Sequence, residues 1–181
     1  MRCRPALTLL SMGVLLCAAA CTLQKVPDLD IWAAAAQGDV RALEQHVAIG
    51  TDLDSREPAM GGTPLIIAAS LGQTEAVQFL VEHGAPLETR NNDGTTAVIG
   101  AAFFAQPEAL EVLLESGADP NAKGNAGLTP LATATAKWTG ELAGIYTYLG
   151  QVLQLDLDLE RIQEERPVVA DLLREYGGTM E

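Results

Sequence analysis

Apolar residues recur along this chain at helical spacing over most of its length. Ala76, Val77, Leu80 and Val81 line one face of a helix, and Ala109, Leu110, Leu113 and Leu114 line another like it. These stripes predict helices over 74–83 and 107–116. Each is closed by a glycine, Gly84 or Gly117, which can take the left-handed conformation that ends a helix. Ahead of each lies a shorter run built around an alanine pair, Ala68-Ala69 or Ala101-Ala102, small enough for neighbouring helices to approach closely. Thr63-Pro64 and Thr129-Pro130 read as helix starts. The threonine oxygen accepts from free backbone N–H groups, and proline at the first helical position forfeits no hydrogen bond. Polar stretches at 88–93 and 121–126 turn the chain between these helix pairs.

The pairs repeat. Gly61, Gly94 and Gly127 are spaced 33 and 33 residues apart, and each is followed two residues later by threonine. A second series, Gly50, Gly84, Gly117 and Gly177, is spaced 34, 33 and 60. The segment Gly61-Gly62-Thr63-Pro64-Leu65-Ile66-Ile67-Ala68-Ala69 resembles the opening of an ankyrin repeat, G-x-T-P-L-H-x-A-A. Leu80-Val81-Glu82-His83-Gly84-Ala85 and Leu113-Leu114-Glu115-Ser116-Gly117-Ala118-Asp119 resemble its ending. The resemblance implies an all-α ankyrin-repeat solenoid of about four helix–turn–helix repeats over 28–178, divided at 56, 90 and 123. The first copy, with Ala33-Ala34-Ala35, Gly38-Asp39-Val40 and Leu43, lacks the Thr-Pro start, as terminal repeats often do.

The spacing of 60 places an insert, residues 139–165, between the two helices of the last repeat, whose second helix is expected from Pro167 to Gly177. Leu142, Ile145, Tyr146, Leu149, Val152 and Leu153 fall on one helical face of the insert. The alternation Leu153 to Leu159 suits a short extended segment; alternatively Asp158 caps a helix running through Ile162 to Glu165. The insert is read as a cap folded over the last repeat, or as an arm that meets a partner.

The N-terminal stretch has a different character. Arg2 and Arg4 precede an uncharged apolar run, Pro5 to Ala20, that ends in three alanines. It reads as a signal peptide over 1–20, too short for a bilayer span. Cys21 then resembles the lipidated cysteine of a bacterial lipobox, with Ala18 where leucine usually stands. That resemblance implies lipid attachment at Cys21, a linker over 21–27, and, with Thr22 in place of a retention aspartate, an outer-membrane lipoprotein facing the periplasm. A cut at the Ala-x-Ala site would give a soluble periplasmic form instead. Cys3 and Cys17 leave with the leader, so no internal disulfide is expected.

Composition narrows the partners. Apolar residues make up 48 % of the chain but aromatics only 4 %, which suits close packing of small aliphatic helices. The net charge of −13 repels nucleic-acid phosphates, so no nucleic-acid partner is expected. His46 and His83 have no acidic or cysteine companion at metal-ligand spacing and are read as structural; no catalytic residue, metal or cofactor is expected.

Carried over from the resemblance, a protein partner docks on the concave face. Its turn-tip positions here include Met60, Asn92, Asp93, Thr95, Asn125 and Leu128; its helix-end positions include Leu71, Phe103, Phe104, Lys137 and Trp138. The two phenylalanines are expected at adjacent exposed positions, open to a partner or covered by the insert. The function implied is a non-catalytic interaction scaffold of the cell envelope, binding an unknown partner protein. One alternative is an immunity or accessory protein for a specific periplasmic protein, as some bacterial ankyrin proteins resemble. Another is a hydrolase with a cleft at the insert, using Tyr146, Tyr148 and the acids from Asp156 to Glu160.

Overall fold

The computed structural model describes residues 28–181, so the leader and Cys21 lie outside the described residues. Among the described residues regular structure is entirely helical. The helices are α1 (Ile31–Gln37), α2 (Val40–Ala48), α3 (Pro64–Ser70), α4 (Thr74–Glu82), α5 (Ala97–Phe103), α6 (Pro107–Glu115), α7 (Pro130–Thr135), α8 (Gly140–Leu153) and α9 (Leu159–Glu175). The short helices α1, α3, α5 and α7 pack in sequence as one layer, and α2, α4, α6 and α9 pack in sequence as a second. This is the expected solenoid of two-helix repeats, with α9 as the fourth outer helix.

The starts follow the side chains that the sequence offers. Thr63, Thr96 and Thr129 are extended and accept from the backbone N–H of Ile66, Ile99 and Ala132. In the first repeat, Asp30 and Asp39 cap α1 and α2 in their place. Gly84 and Gly117 stand at φ 84° and 89°, as helix-ending residues do. The core between the layers is built from small inner residues, Ala34, Ala35, Ala68, Ala69, Ala101 and Ala102, against outer leucines at 43, 80, 110, 113 and 173, all buried.

Successive repeats are also tied by their polar side chains. Gln73 Nε2 donates to the Ala36 carbonyl at the end of α1 (3.0 Å), and Gln106 Nε2 donates to the Ser70 carbonyl at the end of α3 (3.4 Å). Each glutamine side chain lies against a left-handed glycine of the previous repeat, Gly38 or Gly72, where a Cβ would collide with its carboxamide. The third seam is different. Thr139 stands in register with the glutamines and starts the insert. The carbonyls at the end of α5 are met instead by the Tyr146 hydroxyl, which donates to Phe103 (2.6 Å), and by Arg161, which donates to Ala105 (3.0 Å) and Phe104 (3.4 Å). With no glutamine overhead, the glycine position is taken by Ala105 at φ 51°, a conformation that costs a non-glycine residue about 1 kcal/mol.

The insert departs from its expected form in three ways. The alternating stretch shortens to 155–158, where Leu155 and Leu157 are half-buried and Asp156 and Asp158 exposed, and of the two readings Asp158 as a helix cap holds. Gln154, at φ 55°, closes α8, and Asp158 Oδ1 accepts from Arg161 N (3.0 Å) to cap α9. α9 does not begin at Pro167 but at Leu159, and it does not stop at Glu165; it runs on to Glu175 with Pro167 inside it. Residues ahead of the proline were already helical, so its usual role as a helix opener is overridden. Finally, the apolar face of α8 divides: Tyr146 is fully buried and Leu142, Leu149 and Leu153 pack on the core, whereas Ile145 and Val152 face solvent with Tyr148.

The seam geometry predicts the effect of Gly72→Ala. The added Cβ meets strain of about 1–2 kcal/mol at this φ and displaces Gln106 from Ser70, a loss of about 1 kcal/mol more. Urea denaturation should show the second part vanish when Gly72→Ala is made in a Gln106→Ala background.

Candidate partner-binding surfaces

The turn tips at 57–62, 91–95 and 124–128 are held from within. Asn91 Oδ1 accepts from the N–H groups of Asp93 (3.0 Å) and Thr95 (2.8 Å). In the first tip Glu57 does this work: its carboxylate accepts from Ala59 (2.6 Å), Met60 and Gly62 (3.4 Å). Its backbone closes the loop on Gly62, one residue farther along than Asn91 closes on Thr95. That extra residue is the origin of the single spacing of 34 in the glycine series. Partial burial pushes the Glu57 carboxyl up, but the backbone N–H groups of Ala59, Met60, Gly62 and Gly61 together outweigh it and hold it below the ordinary glutamate range.

The tips are also bound to one another. Asn92 N donates to the Met60 carbonyl (3.0 Å), Asn125 N to the Asp93 carbonyl (3.2 Å), and Asn125 Nδ2 to the Asn92 carbonyl (3.1 Å). Arg90 bridges the same two tips through the carbonyls of Gly94 (3.3 Å) and Lys123. The result is a continuous ledge. Asn92, Asp93 and Asn125 are exposed, Leu128 is 54 % exposed, and Met60 and Thr95 are half-buried.

The helix-end residues form a separate group. The inner helices are six or seven residues long, which sets these positions roughly 10 Å from the ledge. Leu71, Phe103 and Trp138 are half-buried and Lys137 is exposed. Phe104, expected at an exposed position, is only 9 % exposed. The reason is Tyr146 of α8. Its ring lies 4.7 Å from Phe103, 6.2 Å from Phe104 and 5.5 Å, stacked, from Trp138, centroid to centroid. The insert thus covers this aromatic group instead of leaving it to solvent.

Arg166 of α9 completes the cluster. It is 5 % exposed, donates to the Tyr146 hydroxyl (3.1 Å) and to the carbonyls of Thr133 (2.9 Å) and Ala136 (2.6 Å), and stands 5.8 Å from the Trp138 ring centroid. Burial pushes the Tyr146 phenol above the ordinary tyrosine range, and Arg166 offsets only part of that. Sequence reasoning missed Arg166. The signal was present: it is in phase with Ile162, Val169 and Leu173, but only along a helix that starts before Pro167.

Two of the groups named for a hydrolase, Tyr146 and Asp158, are engaged elsewhere. The Tyr146 hydroxyl is engaged on both sides, Asp158 caps α9, and Tyr148 points outward at 65 % exposure. His46 donates from Nε2 to the Leu29 carbonyl (2.9 Å) and meets Thr51 Oγ1 at 3.1 Å, which ties the entry of the chain to the first turn. His83 donates from Nδ1 to the Phe79 carbonyl (2.7 Å) and stacks on that ring. Among the described residues no three His, Cys, Asp or Glu side chains gather as metal ligands, and no helix is long and apolar enough to cross a membrane.

Comparison with known proteins agrees with this architecture. A family model described as ankyrin repeats (three copies) matches residues 31–124. A human protein named DNA-binding protein RFXANK is 42 % identical over 57 residues, a stretch covering 32 % of this chain and 22 % of that protein.

Tyr146→Phe should leave the Phe103 carbonyl and one Arg166 N–H without their partner, at a cost of about 1–3 kcal/mol in urea denaturation. The folded pKa of Tyr146 lies above its unfolded value, so its contribution is full below the ordinary tyrosine range and is lost as pH rises through the folded value. Wild-type stability should therefore fall above about pH 10, and part of that fall should be absent from Tyr146→Phe.

Proposed function

The chain belongs to the ankyrin-repeat family, and from that premise we propose that it is a non-catalytic scaffold of the bacterial cell envelope that holds one partner protein on its tip ledge. Ankyrin repeats are protein–protein interaction modules. The observation that carries the reading is the row of tip-to-tip hydrogen bonds from Met60 through Asn92 and Asp93 to Asn125. A surface already ordered in the free protein loses little conformational entropy on binding, so a few contacts suffice for affinity.

The docking residues are Met60, Asn92, Asp93, Thr95, Asn125 and Leu128. Leu128 is the apolar anchor, and the acidic chain favours a basic partner face. Phe103, Phe104 and Trp138 serve instead to seat the insert, which acts as the cap of the last repeat. DNA binding, named for the human relative, does not extend to this chain, because a net charge of −13 opposes a phosphate backbone. The leader over 1–20 directs export, and acyl chains on Cys21 hold the protein to the outer membrane at about 0.8 kcal/mol per buried methylene. The short linker over 21–27 then keeps the repeats close to the periplasmic surface.

Two experiments test this. A partner is captured from envelope fractions with the wild-type chain, identified, and measured against purified protein. Asp93→Lys combined with Leu128→Ala should lower its affinity about tenfold or more while leaving the denaturation midpoint unchanged; full affinity would sink the ledge. Cys21→Ala should move the protein from the membrane to the soluble fraction; retention on the membrane would sink the lipid anchor.

A further inference from the structure

We propose that the cleft between the end of α7 and the middle of α9 is a carboxylate-binding site, which takes an acidic side chain of the partner protein. The cleft has a volume of about 380 Å³ and is lined by Lys137, Arg166 and Arg174 with Trp138 and Pro167. Only 11 of the 181 residues are Lys or Arg, against 24 acids, and three of them meet here. A single acid, Asp171, joins the lining, and it pairs with Arg174 at 2.6 Å. Lys137 and Arg166 are left without a compensating charge among the described residues.

Arg166 is the more informative of the two. Burying a guanidinium is costly unless a counter-charge or a full set of acceptors meets it. Its three hydrogen bonds all go to neutral oxygens, those of Tyr146, Thr133 and Ala136. A guanidinium has five N–H groups, so two remain that no described residue accepts. Both Nη2 hydrogens are already given to Thr133 and Ala136, so Arg166 offers an incoming carboxylate single N–H contacts, and Lys137 at the rim supplies a second charge. The apolar walls of Trp138, Pro167 and Ala170 suit the methylene stem of a glutamate side chain.

The polypeptide source of the carboxylate rests on the scaffold reading; the anion site itself does not. The test follows the Trp138 indole N–H resonance of the purified chain during titration with four probes. These are a tetraglutamate peptide with blocked termini, the matching tetraglutamine peptide, free glutarate and inorganic phosphate. Tetraglutamate should shift the resonance saturably and tetraglutamine should not. Lys137→Glu should weaken tetraglutamate about tenfold or more with an unchanged denaturation midpoint, and Arg166→Lys should weaken it too. Should Arg166→Lys fail to fold, Arg174→Glu is read in its place.

No saturable shift, an equal response to tetraglutamine, or indifference to Lys137→Glu would overturn the site. Tighter binding of phosphate would overturn the carboxylate assignment, and glutarate binding as tightly as the peptide would overturn the polypeptide source. Peptide binding is measured without the captured partner. Its failure therefore sinks the cleft alone, whereas intact capture by the Asp93→Lys, Leu128→Ala variant sinks the ledge alone.

Discussion

Carbonyl groups at the ends of the first three inner helices lie at junctions between repeats, where donors from the next module meet them. Gln73 and Gln106 supply the donor at the first two seams, and their carboxamides press so closely on Gly38 and Gly72 that a side chain there would have to displace them. The stack of helices therefore depends on a paired choice made a repeat apart: glutamine above, left-handed glycine below. Hydrophobic contact between alanine-rich faces holds the layers together, and this polar pairing meets the carbonyls left at the seams. A buried carbonyl left unmet costs about 1–3 kcal/mol, comparable with the loss of a sizeable part of a core side chain.

The insert interrupts that pairing, and the molecule restores it by other means. Tyr146 and Arg161, both inside the inserted stretch, reach the carbonyls of Phe103, Phe104 and Ala105. Because those donors approach from α8 and α9, the space above residue 105 is not filled by a glutamine, and alanine is tolerated in a glycine conformation. Placing Tyr146 at the seam brings its ring against Phe103, Phe104 and Trp138, and the hydroxyl then draws Arg166 into the interior. The aromatic group, the buried arginine and the cleft beside it are thus consequences of one event, the replacement of a seam glutamine by an insert.

The two candidate surfaces differ in kind. The ledge is a product of repetition: the first two tips are closed by Glu57 and Asn91, the third by backbone bonds of Gly124, and each is linked to its neighbour, so its rigidity comes from the stack as a whole. The cleft is a product of irregularity, found only where α9 begins early and carries Arg166 inward. In a chain of strongly acidic character, the first presents amide, aspartate and leucine side chains to a partner, and the second offers a local reversal of charge.

The sequence by itself determined the helix pairs, their starts at Thr63 and Thr129, their left-handed ends at Gly84 and Gly117, and the four-repeat stack. All of these rest on local chemistry: capping oxygens, backbone freedom and a stripe of apolar residues are visible within a few positions. The place of the insert was legible too, from a spacing of 60 where 33 was due. Only the tertiary structure decided what the insert does. Whether Ile145 or Tyr146 turns inward depends on which neighbour lies beneath, since both sit on the same broad face of α8. Pro167 reads locally as a helix start, yet α9 begins earlier, where Asp158 caps it locally and Arg161 reaches across the seam to carbonyls more than fifty residues away in sequence. Long-range donors and acceptors of this kind leave no periodic trace along the chain, which is why Phe104 reads as exposed until the ring that covers it is seen.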